Sequence, residues 1–136
     1  MQDKAKDLSV YRINSALETL DAAKVCIESK HYKDAINRSY YATFYAVKAV
    51  LAMEGIDFKR HKDVVAYFNR NYVATEIFDK KLGRMLANLQ QTRETSDYDD
   101  FFIASKEDAE VQCENAEKII IVVKDYLRDK FGIIME

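Results

Sequence analysis

One of the two histidines lies among basic side chains. His61 stands in the sequence KRHK, with Lys59 and Arg60 before it and Lys62 after it. An imidazole titrates near neutral pH and can transfer a proton, and fixed positive charges attract phosphate. These four residues are therefore candidates for phosphate contact or proton transfer. The structural alternative is a solvated helix start.

A second candidate group is Arg93, Asp97 and Tyr98, near the predicted end of a helix. A guanidinium can hold a phosphate through two parallel hydrogen bonds, or it can offset the negative end of its own helix. The acidic stretch that contains Asp97 would repel a polyanion unless one carboxylate pairs with Arg93. Arg38 enters an apolar run, so we expect it to meet a carboxylate or to face the same cleft as Arg93.

Four aromatic residues, Tyr40, Tyr41, Phe44 and Tyr45, lie close together in the sequence and could stack on bases. Their helical spacing in a strongly apolar segment favours a place in the core instead, with the phenol hydroxyls reaching partners at its edge. We expect the core role.

The common metal and phosphate motifs do not occur in the sequence. It contains no Walker loop, dinucleotide fingerprint, HExxH pair or paired ExxH motif. Cys26 and Cys113 lack CxxC spacing and fall in helical patterns, which predicts reduced core thiols. His31 lies at a predicted turn, where an exposed or capping role is expected. We therefore predict neither a bound metal nor a cofactor.

Apolar residues recur at helical spacing in five segments. The helices that these segments predict must position the candidate site residues. The predicted helices cover about residues 4–30, 33–54, 61–73 and 77–94, and a last one begins at Ser105 and closes at Phe131. Ser105 with Asp108 forms a capping box, and Gly55 is the predicted stop of the second helix. Residues 96–100 are predicted to be a loop. Gly83, inside the fourth helix, predicts a close contact with a neighbouring segment.

Composition limits the fold to helices. The chain has 136 residues, no proline, three glycines and 49% hydrophobic residues, which disfavours a β-sandwich or barrel and excludes intrinsic disorder. We predict one all-α domain over residues 1–136, an antiparallel up-and-down four-helix bundle with an additional short helix. The net charge of -2 gives no overall attraction to nucleic acid or membrane, so any such binding must be local.

Two further expectations concern location and assembly. The charged start of the chain and the lack of a run of about 20 apolar residues predict a cytoplasmic protein without membrane contact. The apolar residues 119–123, together with Phe101 and Phe102, predict a surface that a homodimer would cover. Basic groups between residues 59 and 84 and acidic groups between 94 and 110 could pair across such a dimer.

Several of these motifs occur together in a known family. The string NRSYYATFYAVKAVL, KRHKDVV with His61, and the segment from Arg93 to Tyr98 resemble the HEPN domain superfamily. The closest branch is that of the small stand-alone proteins called UPF0332-like. The resemblance implies a helical bundle that dimerises around a cleft, and a relation to RNA-cleaving toxins paired with minimal nucleotidyltransferases.

The catalytic motif of active members, R-x(4-6)-H, is absent. In this sequence Arg93 is followed after four residues by Tyr98, where the histidine would stand. A phenol with a pKa near about 10 is a poor base at pH 7. Three functions stay open: a dimer that binds a nucleotide or RNA without cutting it, a metal-independent endoribonuclease using Arg93 with His61 or Tyr98, and a structural partner of a nucleotidyltransferase with Tyr98 as a modification acceptor.

Overall fold

The computed structural model describes residues 2–135, and it confirms the all-α prediction. The helices are α1 (Gln2–Glu28), α2 (Tyr32–Ala52), α3 (His61–Phe68), α4 (Lys80–Tyr98) and α5 (Lys106–Phe131). The long helices α1, α2, α4 and α5 pack antiparallel, and the short α3 packs against α2. No strand occurs within the described residues. None of the helices there combines the length and the apolar character needed to cross a bilayer.

Helix α2 forms the centre of the bundle, as its sequence predicts. Thirteen of its 21 residues are buried, because α1, α4 and α5 all pack against it. Its buried hydroxyls are satisfied locally: Ser39 donates to the carbonyl of Ala35 at 2.8 Å, and Thr43 to that of Ser39 at 3.1 Å. A helix that carries apolar residues on every side is stable only when neighbouring helices bury all of its faces.

The predicted helix ends are confirmed where glycine or a capping box specifies them. Gly55 has a φ of 70° just after α2, a conformation that glycine adopts at low cost. At the start of α5 the Ser105 hydroxyl accepts from the Asp108 amide at 3.0 Å. The Asp108 carboxylate in turn accepts from the Ser105 amide at 3.2 Å. Both bonds satisfy amides that the helix leaves unpaired.

The predicted third helix is not a single α-helix. It changes after Phe68 into a wider π-helical turn, Asn69–Val73. The side chain of Val73 then packs against α4 at Gly83, where an added Cβ would lie only 2.8 Å from Val73 Cγ1. The predicted close contact at Gly83 is confirmed, and Val73 is its partner.

The predicted loop at residues 96–100 is wrong for its first three residues. Helix α4 starts at Lys80, capped by Asp79, and continues to Tyr98. Ser96 is 1% exposed and faces the core, so the polar segment still has an inward side. This extension keeps Arg93 inside the helix, one turn before Asp97.

The predictions for the exposed apolar residues and for the cysteines are confirmed only in part. Ile121 and Val122 are 52% and 42% exposed, and Phe101 is 92% exposed, but Phe102 is half-buried. The exposed part of the 119–123 run is not next to Phe101, because about 15 residues of α5 lie between the loop and Ile121, roughly 23 Å along the helix. Both cysteines are free thiols, and Cys113 is buried.

Candidate functional site

The candidate site forms on the aromatic face of α2, where α3 and α4 both meet it. Tyr40 and Tyr41 lie side by side with ring centroids 5.3 Å apart. Tyr40 is 1% exposed, as the core prediction requires, whereas Tyr41 is only half-buried. Burial raises the pKa of Tyr40 to about 12, although the nearby charge of Arg93 acts to lower it. The Tyr40 phenol therefore stays protonated at neutral pH.

Arg93 reaches this tyrosine pair from α4. Its guanidinium carbon lies 5.2 Å from the Tyr40 ring centroid and 5.4 Å from that of Tyr41. Both distances are within the range of cation–π attraction. Its Nη2 also donates a hydrogen bond to the Tyr41 hydroxyl at 3.2 Å. Two rings and one hydroxyl thus fix the position of a side chain that is only 18% exposed.

Asp97 completes the support of Arg93. Its Oδ2 lies 3.0 Å from Arg93 Nε, one helical turn away, and the contact is an ion pair rather than an aligned hydrogen bond. One carboxylate of the acidic stretch therefore pairs with Arg93. The sequence analysis requires such a pair if a phosphate is to bind near these carboxylates. A guanidinium has five N–H donors, so these contacts leave donors for a ligand.

His61 reaches the same aromatic face from the first residue of α3. Its ring lies 4.1 Å from that of Phe44 and 5.5 Å from that of Tyr41. Partial burial lowers the pKa of His61, and the positive charges of Arg93 and Lys48 lower it further. The imidazole is therefore neutral at pH 7 and able to accept a proton.

Lys48 is the residue that the sequence reasoning missed. Its Nζ lies 5.7 Å from the Phe44 ring centroid and 3.5 Å from a carboxylate oxygen of Asp57. Tyr41, Phe44 and Lys48 follow one another at steps of three and four residues, which places them on one face of α2. That spacing is the signal that could have identified Lys48.

The remaining candidates lie around this centre with fewer contacts. Lys59, Arg60 and Lys62 are exposed at the start of α3, and Arg60 pairs with Asp63 at 3.0 Å. Arg38 is exposed on α2, one turn before Tyr41, and the expected carboxylate partner is not found in the described part of the chain.

Tyr98 lies away from Arg93 and His61. It is 77% exposed, and five residues along an α-helix correspond to about 140° around the axis from Arg93. Of the two candidate bases, His61 is the one that lies at the Tyr41 ring together with Arg93. His31 is exposed and precedes α2 without a side-chain cap, as expected for a turn residue.

The arrangement has the parts of a phosphate site but not those of a metal site. A fixed guanidinium and a neutral imidazole lie 5.4 and 5.5 Å from the centroid of the Tyr41 ring. Within residues 2–135, no three His, Cys, Asp or Glu side chains are grouped so as to hold a metal ion. Anion binding and proton transfer are the chemistry that these side chains offer.

Comparison with known proteins gives a consistent picture. The model of the HEPN domain matches residues 9–126. A "UPF0332 protein" of Thermotoga maritima is 33% identical, over 95% of this chain and 97% of its own length. "Putative toxin MJ0142" of Methanocaldococcus jannaschii is 31% identical over 87% of this chain and 80% of the relative. "Putative toxin MJ1304" of the same organism is 31% identical over 89% of each chain.

Proposed function

The chain belongs to the HEPN domain family, and from that premise we propose that it binds single-stranded RNA through a phosphate held by Arg93. A nucleotide would offer the same phosphate chemistry in a smaller ligand. The observation that carries the proposal is that Arg93 and His61, 32 residues apart in the sequence, meet at the Tyr41 ring.

The surroundings of Arg93 support this function. Long arginine side chains lose conformational freedom when they bind, and here the rings of Tyr40 and Tyr41 have already restricted it. The half-buried ring of Tyr41 can also stack on a base. Lys59 and Lys62 are exposed near His61 and would attract the adjacent phosphates without fixing the sequence that is bound.

The relatives named as toxins suggest the biological setting. We propose that this chain is the HEPN component of a toxin–antitoxin-like system. The minimal nucleotidyltransferase partner expected from the resemblance stays a prediction. Co-expression of that partner, followed by purification through a tag on this chain, tests it.

A binding experiment tests the RNA proposal. Fluorescence anisotropy would measure the affinity for a labelled eight-nucleotide single-stranded RNA at fixed salt. A hydrogen bond to a charged group contributes about 1.5–3 kcal/mol, and 1.4 kcal/mol is tenfold in affinity, so Arg93→Gln should weaken binding about tenfold or more. Arg70→Gln removes an exposed arginine remote from the tyrosine pair and should change the affinity less than about twofold.

Two outcomes would count against the proposal. One is an Arg93→Gln affinity equal to that of the Arg70→Gln control. The other is the absence of RNA binding by the folded wild type at low salt, where phosphate contacts are strongest.

A ribonuclease is the second candidate, and the position of His61 at the same Tyr41 ring as Arg93 favours it. A neutral imidazole beside the arginine could take the proton of a ribose 2'-hydroxyl while Arg93 stabilises the charge on the phosphate. The test is cleavage of the same RNA in the presence of a chelator. His61→Gln should abolish cleavage and leave binding near the wild-type level, with His31→Gln as the matched control. Cleavage that survives His61→Gln would exclude this mechanism.

A further inference from the structure

A groove of about 460 Å³ runs between α1 and α2, beside the candidate site. Four of its lining residues could bind a nucleotide: Tyr11 and Arg12 from α1, and Tyr45 and Lys48 from α2. Tyr11 is 69% exposed and Tyr45 is half-buried, so both side chains are accessible to a ligand. The groove combines two aromatic side chains with two cations, and such groups bind single-stranded nucleic acid.

The groove continues directly from the candidate site. Arg12 Nη1 donates to the carbonyl of Lys48 at 2.9 Å, which fixes the antiparallel register of α1 and α2. Since both helices rise by about 1.5 Å per residue, Thr19, which also lines the groove, lies at about the level of Tyr41. The ring centroid of Tyr45 is 6.5 Å from that of Tyr41. A strand bound at the candidate site can therefore enter the groove without leaving the surface of α2.

An internal carboxylate already occupies the cationic end of the groove. Asp57 Oδ2 lies 3.2 Å from Arg12 Nη2, and Asp57 Oδ1 lies 3.5 Å from Lys48 Nζ. The arginine and lysine side chains are only 12% and 23% exposed, whereas the aspartate side chain is 54% exposed, in the segment between α2 and α3. The two cations thus hold an anionic group that comes from outside both helices. A phosphate in its place would meet the same two charges.

Arg12 keeps its position without Asp57. Its hydrogen bond to the carbonyl of Lys48 is made through Nη1, whereas Asp57 pairs with Nη2. The guanidinium therefore stays at the groove when the carboxylate is replaced. Glu18 also lines the groove, but it stands six residues along α1 from Arg12, about 9 Å, so the cationic end is separate from it.

We propose that this groove is a second nucleotide subsite, which binds the RNA strand beyond the candidate site. Arg12 and Lys48 bind one phosphate in place of the Asp57 carboxylate. The rings of Tyr11 and Tyr45 stack on bases, which requires a single strand because paired bases are not free to stack on side chains. The proposal rests on the RNA-binding function and extends it from one phosphate to several nucleotides. Asp57 limits the affinity, because the RNA must displace its carboxylate.

Removing the internal carboxylate is the sharpest test. In fluorescence anisotropy with the eight-nucleotide RNA at fixed salt, Asp57→Asn should bind about threefold more tightly than the wild type, because the phosphate no longer displaces a charged group. Asp125→Asn is the matched control. It also removes a carboxylate that pairs with an arginine, Arg128 at 3.3 Å, but on α5 outside the groove. The control measures the general effect of one negative charge fewer, and the gain for Asp57→Asn should exceed it.

Two substitutions should weaken RNA binding. Tyr11→Ala should lower the affinity about fivefold or more by removing a stacking surface, whereas Phe101→Ala, at a 92% exposed aromatic residue outside the groove, should change it less than about twofold. Lys48→Gln should reduce the slope of log affinity against log salt by roughly 0.7, the effect of one phosphate contact fewer on a single strand. Lys118→Gln, at an exposed position on α5, should leave that slope unchanged. Circular dichroism would verify that each variant is folded.

Arg93→Gln, measured in parallel, separates this proposal from the RNA-binding function. If Arg93→Gln weakens binding while Asp57→Asn matches Asp125→Asn, or while Tyr11→Ala matches Phe101→Ala, the second subsite is wrong and the RNA-binding function stands. A wild type that binds no RNA overturns both. Tighter binding by Asp57→Asn together with weaker binding by Tyr11→Ala, each relative to its control, supports the second subsite.

Discussion

The hydroxyl of Tyr41 offers a precise test of how Arg93 is held for its ligand. Tyr41→Phe removes the acceptor of the 3.2 Å hydrogen bond from Arg93 Nη2 but keeps the ring that lies 5.4 Å from the guanidinium carbon. Tyr41→Ala removes both. If Tyr41 positions Arg93, the two substitutions should weaken RNA binding in successive steps, and Tyr41→Ala should weaken it more.

The size of each step follows from the contacts. The hydrogen bond is at the long end of the usual N–H···O range, and Tyr41 is half-buried, so about 1 kcal/mol is expected for it. That corresponds to roughly a fivefold loss of affinity. The cation–π contact contributes about 0.5–1 kcal/mol at a partly exposed site, so Tyr41→Ala should bring the total loss to about tenfold or more.

The assay is fluorescence anisotropy with the eight-nucleotide RNA, and Tyr45→Phe is the matched control. Tyr45 lies on the same face of α2, one turn further on, and its ring centroid is 6.5 Å from that of Tyr41. Thermal unfolding followed by circular dichroism would separate a loss of stability from a loss of binding. Equal RNA affinities for Tyr41→Phe and Tyr45→Phe would refute the reasoning.

Four other predictions concern the site and the fold. Arg93→Gln should raise the pKa of His61 in an NMR titration, because it removes a positive charge that lowers that pKa; an unchanged pKa would contradict the coupling. Since the folded state binds fewer protons at His61 than the unfolded chain, wild-type stability should fall as the pH drops through about 6.5, and this dependence should be weaker in Arg93→Gln. Gly83→Ala should destabilise the fold by up to about 2 kcal/mol in thermal unfolding, because the added Cβ would lie 2.8 Å from the stiff Val73 side chain. The steric cost of this contact should exceed the stability that alanine gains from its higher helix propensity. A stabilised variant would contradict this prediction. Ser105→Ala should cost about 1 kcal/mol in urea unfolding by removing one bond of the capping box, and an unchanged midpoint would show that the box contributes nothing.

Much of the fold could be predicted because its signals are local. The end of α2 at Gly55 and the start of α5 at Ser105 depend on a few neighbouring residues, and both predictions are confirmed. The end of α4 depends on tertiary packing instead. The segment around Ser96 has the polarity of a loop, but the fold buries Ser96 and pairs Asp97 with Arg93, so the helix continues.

The sequence identifies the residues of the candidate site, but it does not predict how they are arranged in space. The chemistry of His61 and Arg93 marks both residues as candidates in the sequence. Nothing in the sequence shows that both lie against the ring of Tyr41. Their meeting depends on where α3 and α4 pack against α2, which is a property of the whole bundle. The same packing gives Tyr41 a partly exposed position beside a buried Tyr40, a difference that helical spacing alone does not reveal.

The most direct test of RNA binding at this site uses the two histidines as reporters. The imidazole resonances of His61 and His31 would be followed by NMR while the eight-nucleotide RNA is added at fixed pH and salt. His31 is exposed at the turn before α2 and serves as the internal control. Binding of RNA beside Arg93 predicts that the His61 signals shift and saturate with the RNA while the His31 signals stay in place. RNA binding that leaves His61 unmoved would contradict it.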